Sequence, residues 1–403
     1  MKDKKIFPYF QPIIAADTND IYAFEVLGRY EDDDGSVRSL GPFFTDPNVS
    51  CEQALEVDRI VRKQALQQFA EFLKDGGNSY LFINMRLNWV ASHADNIQNS
   101  PTIRWAKEFG VDLSKLVIEI TEEEFFTDDS TVLDTIADTI AEYKDMGCRI
   151  AIDDYGKCAS DINRLAQFSP DIVKIDMEYV HKCENSYHYR EYLKSISSFA
   201  ERVGIEILYE GIETQTQLDF CISAKGRCYQ GFFLNMPQPS LKCANVGEEE
   251  FASSFYRVIT SFHERIDRIN ERREMWDSKV DNFFYGKAFN SVSDNTTEYF
   301  SKMFMDLSPM IKRIFLCDRW GQQLSYNIEK TPTGVVLNDC RYRNWSWRGY
   351  FQEAMLILAA GSKSHMTAVY RDATTKEKIY TYIRAINKDL FLFVDVLQDA
   401  DLG

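Results

Sequence analysis

At 403 residues the chain exceeds one ordinary compact core, so two domains are expected, one of them large enough to be a barrel. Its hydrophobic content of 45% and charged content of 27% exclude a disordered polymer. A formal net charge of −16 excludes bulk-field attraction to nucleic acid or anionic lipid, so a phosphate-bearing ligand would have to be received locally, most simply through divalent cations.

The first residues, MKDKKIFPYFQPII, lack the apolar core and small-residue cleavage site of a signal peptide, and no window holds 18 uninterrupted apolar residues. A cytoplasmic protein without membrane or nucleic-acid partners is the expectation. The nine cysteines, at 51, 148, 158, 183, 221, 228, 243, 317 and 340, form no CxxC pair and read as reduced thiols in packed positions.

From residue 1 to about 242, short apolar runs alternate with amphipathic stretches. YLFINM (80–85), KLVIEI (115–120), CRIAID (148–153), DIVKID (171–176), IEILYE (205–210) and YQGFFL (229–234) have the length and composition of buried strands. Between two of them, STVLDTIADTIAEYKDMG reads as a helix that Ser130 caps and Gly147 ends. Repeated strand–helix units predict a parallel sheet, and this many of them an α/β fold of the TIM-like (β/α) barrel type.

The stretch from Phe251 to Phe284 then carries Ile259, Phe262, Ile266, Ile269, Trp276, Val280 and Phe283 in a heptad rhythm, with Arg273 the polar intruder. It predicts one long helix, either packed on the barrel or serving as a connecting and dimerising coil. After Gly286, the runs RIFLCD, MTAVYR, IYTYIRAI and LFLFVDV follow a helix-like TTEYFSKMFMDLSPMI and predict a small α+β domain on an antiparallel sheet. The expected division is 1–242, 243–285 for the linker helix, and 286–403.

Chemistry-bearing residues collect at strand ends. Glu25 lies in IYAFEVLGRY, Asn84 ends LFIN, Glu119 ends KLVIE, Asp153 and Asp154 end IAIDD, Lys174 and Asp176 end IVKID, Glu210 ends ILYE, and Gln230 follows CY. In a parallel barrel those ends converge on one face. Carboxylates sharing one mouth repel unless cations neutralise them. An all-oxygen set without histidine or cysteine suits Mg²⁺, Mn²⁺ or Ca²⁺, and two such ions can activate water against a phosphodiester. Lys174 can orient that water or offset phosphoryl charge, or it is a plain salt-bridge partner. Asp153 and Asp154 can equally cap the helix that follows them.

Eight motifs in order, YFQP, EVLGR, FIN, IEITE, DDYG, VKID, EGIE and QGFFLNMPQP, span about 235 residues and resemble the EAL-domain family, barrel phosphodiesterases and receptors of cyclic di-GMP. An unrelated barrel would carry neither the Asp pair nor this series. The resemblance implies that Glu25, Asn84, Glu119 and Asp153 bind a first metal ion and that Asp154 reaches toward a second. It implies that Lys174 and Glu210 hold the attacking water, Glu210 as general base, with Gln230 supporting the cluster. Gln11, Arg29 and Asp176 are implied in dinucleotide binding, and Glu122 and Glu213 in positioning a loop and the ligand. The implied cofactor is Mg²⁺ or Mn²⁺, two ions in an active enzyme, with Ca²⁺ binding and inhibiting, and the implied assembly is a homodimer.

Two departures stand out. The signature reads Glu-Val-Leu where the family has Glu-Ala-Leu, which leaves the carboxylate in place. The loop reads DDYGKCASD where active members typically read DDFGTGYSS, so that Lys157, Cys158 and Ala159 replace a small residue, a glycine and an aromatic. Loss of that glycine removes a position tolerant of positive φ. The expectation is therefore a metal-dependent phosphodiesterase that opens cyclic di-GMP to pGpG, or a catalytically weak or inactive receptor that binds it and acts through protein interaction.

The C-terminal part resembles the PAS-like or Cache-like domains that a long helix joins to some EAL barrels. In Cache-type sensors an Arg-x-Tyr-Phe element lines a small-molecule pocket, which makes Arg348, Tyr350 and Phe351 candidate contacts for an unknown small ligand; the other reading is that Trp345, Trp347 and Tyr350 cover the sheet. No haem- or flavin-reactive residue is evident, and His365 reads as structural.

Overall fold

The computed structural model describes residues 4–85, 97–121, 129–157, 162–242, 247–285, 299–301, 310–331 and 334–398. The chain forms two compact units, Met1–Thr260 and Ser261–Gly403.

The first unit is a closed barrel. Strands β1 (Lys5–Ala15), β2 (Ile21–Glu31), β4 (Tyr80–Asn84), β5 (Leu116–Thr121), β6 (Arg149–Tyr155), β7 (Ile172–Ile175), β8 (Glu206–Tyr209) and β9 (Cys228–Tyr229) pair around the ring, and β3 (Val37–Ser39) extends β2 outside it. All neighbours are parallel except β1, which runs antiparallel to both β2 and β9 and so closes the circle.

Alternation then builds the interior in storeys. Ile13, Ala23, Phe82, Val117, Ala151, Ile172, Leu208 and Cys228, one from each ring strand, form a buried apolar plug. Side chains of a strand face the same way every second residue. The next inward positions along the parallel strands are therefore Glu25, Asn84, Glu119, Asp153, Lys174, Glu210 and Gln230, and on reversed β1 the corresponding step is backward, to Gln11.

Around the ring, helices cover the outer strand faces. The helix Cys51–Lys74 starts with a capping box between Ser50 and Gln53 and buries Ala54, Val57, Val61, Ala65, Leu66, Phe69 and Ala70 at helical spacing. The helix Ser130–Asp145 is as expected, but its cap is Asp129, whose side chain accepts from the Thr131 N–H, while Ser130 is its first helical residue. The run YQGFFL is not a strand beyond Tyr229. Gly231 packs on the Ile212 backbone so closely that a Cβ would lie 2.1 Å from its carbonyl oxygen, and Leu234 and Asn235 bond back to the Gly231 carbonyl to make a turn.

The second unit is an antiparallel sheet in the order β12 (Gly334–Asn338), β11 (Asn327–Thr331), β10 (Ile311–Asp318), β16 (Leu390–Leu397), β15 (Lys378–Ala385) and β13 (Ser364–Met366), with β14 (Tyr370–Arg371) also on β15. MTAVYR thus yields two short strands, because the register on β15 slips by one residue between Met366 and Tyr370. One face of the sheet holds Ile314, Leu316, Leu392 and Val394 against Trp276 and Val280. The other holds Phe315, Phe391 and Phe393 against Phe351 and Ala354 of the helix Gly349–Ala359. The expected helix TTEYFSKMFMDLSPMI lies largely outside the described residues; 299–301 are helical.

Glu248–Phe284 is one helix of 37 residues. Phe251 is buried in the barrel core, and Trp276 and Val280 are buried in the sheet domain, Trp276 stacking on Tyr382. Ile259, Phe262 and Ile266 are exposed. Cys148, Cys183, Cys221, Cys228, Cys317 and Cys340 are buried free thiols and Cys51 an exposed one; Cys158 and Cys243 lie outside the described residues. No described helix is long and apolar enough to cross a membrane.

Candidate functional site

The polar storey above the plug centres on Lys174, whose side chain is 1% exposed. Its Nζ lies 2.7 Å from Glu119 Oε1, 2.8 Å from Asp153 Oδ1, 3.3 Å from Glu210 Oε2 and 3.6 Å from Glu25 Oε2. Burial alone would lower the Lys174 pKa, but Asp153, Glu119, Glu210 and Glu25 outweigh it and hold the ammonium well above its ordinary value. Burial pushes Glu119 well up, against Lys174 and with Glu25 and Asp153, and pushes Glu210 up in the same way, with Asp153, Glu25 and Asp154 adding. Four carboxylates around one ammonium leave an excess of negative charge that one or more divalent cations would neutralise.

Amides complete the layer. Asn84 Nδ2 donates to Glu119 Oε2 at 3.0 Å and reaches Glu25 Oε1 at 3.5 Å, and Gln230 Nε2 donates to Glu25 Oε2 at 2.6 Å. Gln230 Oε1 is buried and has no hydrogen-bond partner among the described residues. An amide presents oxygen or nitrogen by turning its plane, so Asn84 fits a cation as well as it fits a carboxylate. Gln11 faces Glu25 across the β1–β2 ladder and donates to the Asn235 carbonyl at 3.3 Å.

Asp153 and Asp154 are adjacent in sequence, and in a regular strand they would face opposite sides. The strand is irregular here: the β6–β7 register shifts between Ile152 and Tyr155, and Asp154 adopts φ +56°. Oxygens of Asp153, Asp154 and Glu210 consequently lie within 4.8 Å of one another, a spacing that can hold a metal ion. Asp154 Oδ2 accepts from Lys157 Nζ at 2.9 Å.

The other expected residues are more dispersed. Arg29 lines a cavity of about 360 Å³ with Asn84, Asp153 and Asp154, donates to the Gly28 carbonyl at 2.9 Å and lies over the Tyr9 ring. Asp176 is buried and caps the helix Met177–Lys182 by accepting from the Glu178 N–H at 2.7 Å, so one of its oxygens serves the fold. Glu213 is exposed, 3.9 Å from His181 Nε2, and Glu122 lies outside the described residues.

In the sheet domain the Arg348–Tyr350–Phe351 group divides. Phe351 is core, stacked on Phe393, whereas Tyr350 stacks on Tyr370 at 5.3 Å with Arg348 over both rings. Trp345 packs against Phe315 and donates to Gln323 Oε1, while Trp347 is exposed. His365 is buried, 3.9 Å from Glu353.

The cavity wall includes two residues that the motif reading passed over, Asp58 and Arg62. They pair with each other, and Arg62 Nη1 donates to Thr102 Oγ1 at 2.6 Å. Their signal was present: two charged residues four apart beside Val57 and Val61, on a helix face that is otherwise apolar.

Comparison with known proteins agrees with this architecture. The family model described as the EAL domain matches residues 1–237, and an EAL-domain associated signalling protein domain matches residues 243–399. YkuI of Bacillus subtilis, an EAL-domain protein, is 31% identical over 397 residues, which cover 97% of this chain and 94% of YkuI. The crystal structure of YkuI with c-di-GMP and calcium matches with a TM-score of 0.86 at 30% identity, covering 98% of this chain and 96% of that one. The cyclic di-GMP phosphodiesterase RocR of Pseudomonas aeruginosa is 25% identical over 240 residues, 57% of each chain.

Lys174→Met removes the ammonium and leaves its carboxylates facing one another. Loss of one partner of a buried pair costs about 3–5 kcal/mol, and denaturant unfolding in chelator at about pH 8 should show a destabilisation of that size. Glu119 and Glu210 have folded pKa values raised above the ordinary 4.5. Stability gained from their protonation is complete below the ordinary value and is lost as pH rises through the raised ones. The deficit of the variant should therefore shrink as pH falls toward about 5; an unchanged deficit would show that Lys174 does not serve as charge compensation.

Proposed function

Since the chain belongs to the EAL-domain family, we propose that its barrel binds cyclic di-GMP and, with divalent cations, hydrolyses it to pGpG. The observation that carries this reading is the single interior layer of Glu25, Asn84, Glu119, Asp153, Lys174, Glu210 and Gln230, in which Glu25, Glu119, Asp153, Lys174 and Gln230 are buried, Glu210 is half-buried and Asn84 opens to the mouth. Support also comes from the cyclic di-GMP and calcium in the YkuI complex and from the activity named for RocR.

Glu25, Asn84, Glu119 and Asp153 would hold one cation, with Asp154 and Glu210 facing a second. Such ions, when bound, polarise the phosphodiester and lower the pKa of water. The protein's own groups do the rest. Lys174 holds Glu210 and Asp153 in place and can donate to a water or to a phosphoryl oxygen. Glu210, at the rim of the layer, accepts the proton of the attacking water. Attack at phosphorus breaks the bond to one ribose 3′ oxygen and leaves a 5′-phosphorylated linear dinucleotide. Arg29 on the cavity wall offers a donor to phosphate, Gln11 and Asp176 contact the dinucleotide, and Glu122 and Glu213 position the loop and ligand around it.

The second reading is a receptor with little or no turnover, and Lys157 favours it: a long cation stands where active relatives carry a small residue, and it pairs with Asp154. The division into barrel 1–242, connecting helix 243–285 and sensor 286–403 belongs to the same proposal, with Arg348 and Tyr350 as contacts for a small ligand of the sensor. A homodimer is proposed through the exposed heptad positions Phe255, Ile259, Phe262 and Ile266 of the long helix.

Incubation with cyclic di-GMP and Mg²⁺ or Mn²⁺, followed by chromatography, is expected to yield pGpG, and Glu25→Ala to lower the rate at least about a hundredfold. No pGpG together with tight calorimetric binding would replace the enzyme by the receptor; an unchanged rate in the variant would refute the metal-site assignment. For the dimer, sedimentation at micromolar concentration should give twice the chain mass, and Phe262→Glu should give the monomer. A wild-type monomer under those conditions rules out the helix as a dimer seam.

A further inference from the structure

The fold delivers the ammonium of Lys157 to the acidic cluster by a clamped turn. The Lys157 N–H donates to the Asp154 carbonyl at 3.1 Å, closing Asp154–Lys157 as a tight turn. Gly156 within it adopts φ +111°, a conformation that side chains other than glycine rarely take. The Tyr179 ring lies 2.6 Å from where a Cβ of Gly156 would sit, and the Tyr179 hydroxyl donates to the Gly156 carbonyl at 2.5 Å. The turn is thus held from the neighbouring helix Met177–Lys182, and it directs Lys157 back toward the residue that begins it.

Lys157 Nζ meets Asp154 Oδ2 at 2.9 Å and stands 4.0 Å from Asp176 Oδ2. Asp154 is one of three carboxylates, with Asp153 and Glu210, whose oxygens converge within 4.8 Å. Lys174 already contacts the other two, at 2.8 and 3.3 Å. Every carboxylate of that triad therefore has an ammonium against it, and Lys157 supplies the one that the family pattern lacks.

We propose that Lys157 is a tethered counter-ion that takes the place of the second divalent cation, so that this barrel holds one such ion instead of two. The inference rests on the reading of the site as a divalent-cation centre for cyclic di-GMP. Lys157 is exposed and Asp154 half-buried, so the contact is partly screened by water; even so, a dication at Asp154 must either displace the lysine or lie beside it, and two like charges a few ångströms apart repel. The lysine pays no translational entropy to be there, because the turn already places it. The Lys157 contact is with Asp154 on β6, whereas Glu25, Asn84 and Glu119 stand on β2, β4 and β5, on the opposite side of β6 from Lys174 in the ring order, so the first cation position keeps these ligands. A centre with one ion can still anchor a phosphate, while the activation of water that two ions share is weakened.

The test is manganese binding by the full chain, without nucleotide, read by electron paramagnetic resonance of free Mn²⁺. The wild-type chain should bind one ion. Lys157→Ser should bind two, its second site at least roughly tenfold tighter than any second site of the wild type. Lys157→Arg, which keeps the charge, should remain at one. On the same three proteins, pGpG formation should rise only in Lys157→Ser. Identical manganese stoichiometry and affinity in wild type and Lys157→Ser overturns the tethered counter-ion and leaves the cyclic di-GMP reading to its own test. Manganese bound by neither protein overturns both.

Discussion

A lysine buried among four carboxylates is the interaction on which the barrel mouth depends. Removing one carboxylate or ammonium from water costs several kcal/mol, and the mutual attraction offsets this only when geometry is close and the remaining lone pairs are satisfied. Here Lys174 contacts Glu119 and Asp153 within 2.8 Å, Asn84 donates to the other oxygen of Glu119, and Gln230 donates to Glu25. One positive charge still faces several negative ones. Replacing a buried charge cluster by well-packed apolar residues is often neutral or stabilising, so stability alone does not account for the layer, whereas the proposed binding of a cation and a phosphate does.

The barrel supplies the layer through one geometric rule. Eight plug residues, from Ile13 to Cys228, exclude water from below, and the residue two positions along each strand forms the polar storey above. The rule leaves one inward side chain per strand. Only the irregularity at Asp154, with its positive φ and shifted register, brings a second carboxylate of the same strand to the mouth. The same irregularity opens the turn that carries Lys157. On the proposed counter-ion role of Lys157, whether the site holds one cation or two is governed by this local distortion of β6 and by the residue three places after Asp154.

The sheet domain has two apolar faces with different partners. Leu392 and Val394 face Trp276 and Val280, and Phe391 and Phe393 face the helix Gly349–Ala359. Asp277 of the long helix binds Arg384, Tyr382 and Ser364, which fixes the rotation of that helix segment on the sheet. Arg348 over Tyr350 and Tyr370 is left at the edge of the second face.

Most of this was written in the chain. Apolar runs of strand length, alternating with amphipathic helices, specify a parallel barrel, because each run needs both faces buried. Acidic and amide residues placed two positions past the plug residues specify the polar storey, because alternation is a property of the backbone. What the chain could not express was local geometry. YQGFFL has the composition of a strand apart from Gln230 and Gly231, yet it turns after Tyr229 because the Gly231 backbone lies against Ile212. Asp129 displaced Ser130 as the cap, since either side chain can serve and only the helix start decides. Phe351 left its neighbours for the core, and Asp58 and Arg62 joined the cavity wall. The sequence by itself determined which side chains would share the barrel mouth, through strand period and order. Only the tertiary structure decided which of them touch, above all that Lys157 lies on Asp154, because that contact depends on a positive φ and a clamped turn that no residue pattern encodes alone.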